Sequence, residues 1–85
     1  MDVAKLTEER GKVHGDFNDV SNIAQELKNV LTHGRQYEEL TDLHREGLEM
    51  IVHKIARIVS GDPNHHDHWD DISGYAHIVS KRITK

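Results

Sequence analysis

Between Leu40 and Ser60 the apolar residues Leu43, Leu48, Ile51, Val52, Ile55, Ile58 and Val59 recur at steps of three, four and seven. At about 100° per residue they cover roughly half of a helical cylinder, which is more than one neighbour needs. Asp42, Glu46, Glu49, His53 and Arg57 collect on the other side. The pattern predicts a central helix over 41–60, flanked by helices on two sides and wet on the third. Thr41 can cap it, and Gly61-Asp62-Pro63 cannot continue it.

Upstream, Phe17, Val20, Ile23, Ala24, Leu27, Val30 and Leu31 keep the same rhythm, opened by the capping carboxylate of Asp16 and closed before Gly34. This predicts a helix over 16–33. Downstream, Asp67 is placed to cap a third long helix over 67–83, with Trp69, Ile72, Tyr75, Ala76, Val79 and Ile83 in one stripe. Gly74 inside that stripe points to close packing against a neighbour. Residues 3–10 can make two turns of helix with Val3 and Leu6 inward, stopped at Gly11. No strand pattern, repeat or low-complexity tract interrupts the series. The predicted fold is therefore all-α, a single domain over 1–85 built as a small bundle of three long helices with a short N-terminal one.

Composition narrows the function classes. Eighty-five residues give one domain, without room for both a full core and a deep active site. A chain of this size often gains stability by self-association, so a homodimer is expected. The absence of cysteine excludes disulfides, thiolate zinc sites and cysteine nucleophiles. With neither a signal-like apolar run nor a stretch long enough to span a bilayer, the expected location is the cytoplasm, with no membrane partner. Fifteen acidic against eleven basic residues leave a net charge of −4, which argues against general nucleic-acid binding.

Three groups could carry chemistry. His65-His66-Asp67-His68-Trp69-Asp70-Asp71 mixes imidazoles and carboxylates that suit a transition metal, but its spacing matches no closed site, and a solvated loop ending in an acidic cap also accounts for it. Glu46 and Glu49, facing Asp67 and Asp70 across a bundle, could chelate magnesium. On the wheel, however, both glutamates lie mid-way across the polar face, where a pairing of Glu49 with His53 is the simpler use. Lys54 and Arg57 can reach a carboxylate on the third helix, with Asp71 at the matching edge beside Tyr75. That group either orients two helices or receives a phosphate. His44 projects onto the apolar side as a satisfied, part-buried ring, and His14 either meets an anion at a helix start or sits in solvent.

The runs His14-Gly15-Asp16-Phe17, Glu49 to Ile58 with its Lys-Ile-Ala-Arg, Gly61-Asp62-Pro63, and Asp67 to Ala76 with its Asp-Ile-Ser-Gly-Tyr-Ala resemble a family of small all-helical proteins encoded by phages and prophages and of no known function. A looser similarity extends to the MazG-like all-α nucleotide pyrophosphohydrolases, whose acidic pairs bind magnesium. In that comparison Glu46 and Glu49 match the first pair and Asp67 and Asp70 the second, with an aspartate where the second motif has glutamate. The first resemblance implies an accessory protein that needs no cofactor. It would bind a host or phage protein, inhibiting a host enzyme or anti-phage defence complex through Glu46, Glu49, Asp70 and Asp71. The second implies a magnesium-dependent nucleoside triphosphate pyrophosphohydrolase or a nucleotide-binding remnant of one.

Overall fold

The computed structural model describes residues 2–83, so the predicted domain's Met1, Thr84 and Lys85 lie outside the described residues. Four helices follow one another: α1 (Val3–His14), α2 (Phe17–Leu31), α3 (Asp42–Ser60) and α4 (His66–Arg82), with a 3-10 turn at Tyr37–Glu39 before α3. No strand occurs among the described residues. The chain is all-α, as its periodicity predicts.

The largest departure is in α1, which runs through Gly11 to His14. A glycine inside a helix costs only about 1 kcal/mol and need not end it. The true stop is Gly15, at φ +88° and ψ 165°, a conformation open essentially to glycine alone. Its N–H donates to the Gly11 carbonyl at 2.9 Å. A side chain there would also run into Ser60, and one at Gly61 into the Val13 carbonyl. The end of α1 therefore lies backbone against backbone on the α3–α4 turn, where the Asp62 N–H donates to the Val13 carbonyl at 2.9 Å.

The predicted caps of α2 and α3 are present. Asp16 accepts from the Asn18 N–H at 2.9 Å, and Thr41 accepts from the His44 N–H at 3.3 Å. His44 returns the bond, its Nδ1 accepting from the Thr41 N–H at 3.1 Å, so this ring closes a capping box. α4 begins two residues earlier than predicted, with His65 rather than Asp67 at the cap position. Asp67 falls in the first turn instead, where its charge suits the helix dipole.

α3 packs against α2 on one side and α4 on the other, both antiparallel to it, and those two outer helices hardly meet. Val52 and Ala56 close against Val20 and Ala24 of α2. Toward α4, Gly47 lets the backbone approach Val79, where a side chain would collide, and Ile58 and His68 are buried. The close-packing glycine is thus Gly47; Gly74 is exposed with nothing near it.

Two sides of α3 remain. α1 lies over the polar one, which carries Glu46, His53 and Arg57. The other side carries Leu48, Ile55 and Val59, and these are 38%, 38% and 63% exposed. The expected single wet side is therefore two sides, and the bare one is apolar. The molecule is correspondingly elongated, 48 × 25 × 23 Å, with a radius of gyration of 14.7 Å against about 12 Å for a compact domain of this length.

Candidate functional site

α1 buries no residue of its own, and Val3 and Leu6 stay exposed. It is fastened over α3 at its C-terminal end only, so a cleft of about 790 Å³ opens between α1, α2 and α3. That volume lies within the usual range of small-molecule and peptide-side-chain pockets, about 300–1,000 Å³. Arg10 and His14 reach it from α1, Phe17 and Gln25 from α2, His53 and Arg57 from α3. Phe17, at the head of the predicted α2 stripe, is 77% exposed at this cleft rather than in the core.

At the closed end of the cleft His14 Nδ1 lies 3.1 Å from His68 Nε2. One ring must donate and the other accept, so at least the accepting ring is neutral in this arrangement. His65 stands edge-on to them, its ring centre 4.7 Å from that of His68 and 5.8 Å from that of His14. His68 is 1% exposed, and its Nδ1 has no hydrogen-bond partner among the described residues. Burial holds His68 below the usual imidazole range, reinforced by His65 and Lys54 and opposed by the nearby Val13 carbonyl. Burial likewise lowers His14, with His68, Arg57, His65 and Lys54 adding to it. His53 is lowered by burial and by Lys28 and Arg57, against the pull of Glu49. Three imidazoles packed against α3 are thus biased toward the neutral form beside cations.

The carboxylates are dispersed. Glu49 turns to Lys28 on α2, 3.6 Å away, and the Lys28 ammonium also meets His53 Nε2 at 3.2 Å. The simpler pairing of Glu49 with His53 is therefore replaced by a lysine between them. Asp71 takes Lys54 at 3.0 Å, the interhelical pair that the edge positions predict. This bond, before any other cause, holds the Asp71 carboxyl below its usual range. Asp67 approaches His65 at 3.7 Å. Glu46 and Asp70 are exposed and form no ion pair among the described residues. Tyr75 is half-buried one turn beyond Asp71.

Glu46, Glu49, Asp67 and Asp70 consequently do not converge. No group of three or more His, Asp or Glu side chains among the described residues is arranged to hold a metal, so a single chain does not fit magnesium at these positions. Within the His65–His68 run, His65 and His68 do cluster with His14 from another helix, but this group too is not arranged to hold a metal among the described residues. Arg57 and Arg10 reach the cleft without a carboxylate partner within ion-pair distance among the described residues.

The pairing of His14 with His68 was the feature least visible in the sequence. The signal for half of it is present: His68, Ile72, Tyr75 and Val79 repeat at four, three and four, and this is the stripe α4 presents to α3. Trp69 and Ala76, assigned to that stripe, are exposed beside it. Nothing local marks His14 as its partner, because that contact depends on where α1 folds back.

No curated protein and no solved structure matches the chain. Residues 2–83 match the family model described as Domain of unknown function (DUF6378), and by that match the chain belongs to the DUF6378 family.

Proposed function

We propose that this protein acts by binding, with the polar side of α3 and the cleft beneath α1 as its recognition surface. The observation that carries this reading is the contrast within that side. Glu49 and Asp71 are tied to lysines, whereas Arg10 and Arg57 line one cleft with His14 and His53 and form no ion pair among the described residues, although Glu8 and Asp16 also line it. Such a mixed polar set, with two arginines free to meet carboxylates and no convergent acidic group, suits recognition of a polar segment better than metal-assisted hydrolysis. The finer form of the proposal is a phage-type accessory protein that occupies a host enzyme or an anti-phage defence complex. Exposed Glu46 and Asp70 would then serve as outer contacts, and Glu49, Lys54, Asp71 and Tyr75 would hold the surface in shape. The test is capture from host lysate by the tagged full-length chain. A stoichiometric partner retained by the wild type and lost with Arg57→Glu is expected, and a lysate that yields none contradicts the proposal.

A second reading, a nucleotide-binding remnant of the MazG-like type, is favoured by the unpaired arginines and by a cleft large enough for a nucleoside phosphate. Pyrophosphate release from nucleoside triphosphates with magnesium or manganese, abolished by Glu49→Gln, would restore the full hydrolase. Nucleotide binding without release supports the remnant, and absence of both dismisses this second reading.

A further inference from the structure

We infer that the bare apolar side of α3 is the interface through which two copies of this chain associate. Leu48, Ile55 and Val59 form a stripe about 16 Å long, from the rise of eleven helical residues. The outer helices extend it. With α2 and α4 both antiparallel to α3, the sides that carry Lys28 and Asp71 turn toward the cleft side of α3, because those residues pair with Glu49 and Lys54 there. The opposite sides of the same helices carry Val30 on α2 and Trp69 and Ile83 on α4, and they turn toward the bare stripe. Their exposures of 57%, 54% and 45% match that position. Between Val30 and Trp69 no formally charged side chain of α3 intervenes; the residues at those angles are His44, Leu48, Ile51, Ile55 and Val59.

Three features choose a second copy as the occupant. First, the chain exposes 6583 Å², whereas a compact monomer of 9.8 kDa exposes about 5,200 Å², an excess of roughly 1,400 Å². A standard interface takes about 800 Å² from each partner and fits inside that excess. Second, the fully buried apolar core is small, five side chains among the described residues, of which two are alanines, less than a free-standing domain of this length ordinarily has. Third, two chains of net charge −4 approach best across an uncharged surface, and α3 places no formally charged side chain in the stripe, leaving carboxylates such as Glu26 of α2 at its rim. This inference is independent of the recognition surface proposed above, which lies on the other side of α3.

The test is sedimentation equilibrium of the full-length chain, with Val59→Glu and Ile55→Glu as interface variants and Leu6→Glu on α1 as control. The wild type and Leu6→Glu are expected to be dimers, with Val59→Glu weakening association on the order of a hundredfold, because each copy then brings an uncompensated charge into an apolar interface. Helical circular dichroism checks the fold of each variant; Val59, at 63% exposure, tolerates the change as a monomer, and it decides the matter if Ile55→Glu does not fold. A wild type that is monomeric at all concentrations overturns the inference and leaves the stripe to a foreign protein. A dimer indifferent to Val59→Glu, or an assembly larger than two, also overturns it.

Discussion

The two sides of α3 left open by α2 and α4 are opposites in chemistry and in how they are covered. The polar side has a roof, α1, which brings almost no apolar surface of its own and is held by one backbone hydrogen bond, one imidazole pair and two glycines that permit close approach. The apolar side has no roof among the described residues, although burying it would be worth far more. At about 25 cal/mol per Å², covering a standard share of about 800 Å² would contribute up to roughly 20 kcal/mol if all of it were apolar, before association entropy is subtracted. A helix that covers the less rewarding side is positioned for specific contacts. A side left bare despite its hydrophobicity is kept for another molecule.

The sharpest way to break this contrast is to unseat the roof. Gly15→Ala places a side chain at φ +88° against Ser60, and the expected cost is about 2–4 kcal/mol in urea denaturation. Amide exchange should show α1 losing protection well before α3. Unchanged stability in this variant would mean that α1 is not fastened at this end.

Acid should act on the same side more gently. The folded-state values of His14, His53 and His68 lie below the ordinary 6.5, so as pH falls through about 6.5 the unfolded chain takes up protons first. Stability is therefore expected to be full above that pH. It should fall as the pH drops further, levelling off once the folded rings also charge. Asp71, depressed by Lys54, adds a further loss only below about pH 4. Urea midpoints at pH 7.5 and 5.5 measure the histidine effect, and His68→Phe should flatten it. A midpoint that rises on acidification would refute the assignment of neutral rings.

The smallest effects separate the two sides most cleanly. Glu46→Gln and Val59→Ser both alter exposed positions and should change the stability of the isolated chain by no more than about 0.5 kcal/mol. Only Val59→Ser should also weaken association, measured by sedimentation. Equal behaviour of the two variants would erase the distinction between the sides.

Much of this architecture was legible in the sequence. The apolar repeats fixed α2, α3 and α4 to within a residue or two, since periodicity and caps are local properties. The half-cylinder of apolar residues on α3 was visible too, but not its use. Val52 and Ala56 at one edge and Ile58 at the other are packed, whereas Leu48 and Ile55 in the middle are open, a division set by the placement of α2 and α4. The length of α1 was misread because a glycine weakens a helix without stopping it, while the decisive glycine at 15 is recognised only by a conformation and a contact that depend on the fold. For the site, the Lys54–Asp71 pair was readable from facing edges. His14–His68 and Lys28–Glu49 were not, because each joins helices whose relative rotation no local pattern records.

Trp69, the single tryptophan, lies on the apolar side at the α4 flank of the stripe, with its indole N–H donating to the Pro63 carbonyl at 2.8 Å. Its fluorescence during serial dilution of the unmodified protein therefore reports directly on what covers that side. The expected emission is blue-shifted and shielded from iodide, and it moves to longer wavelength and becomes quenchable as the chain is diluted. A long-wavelength, fully quenchable emission at every concentration would contradict it.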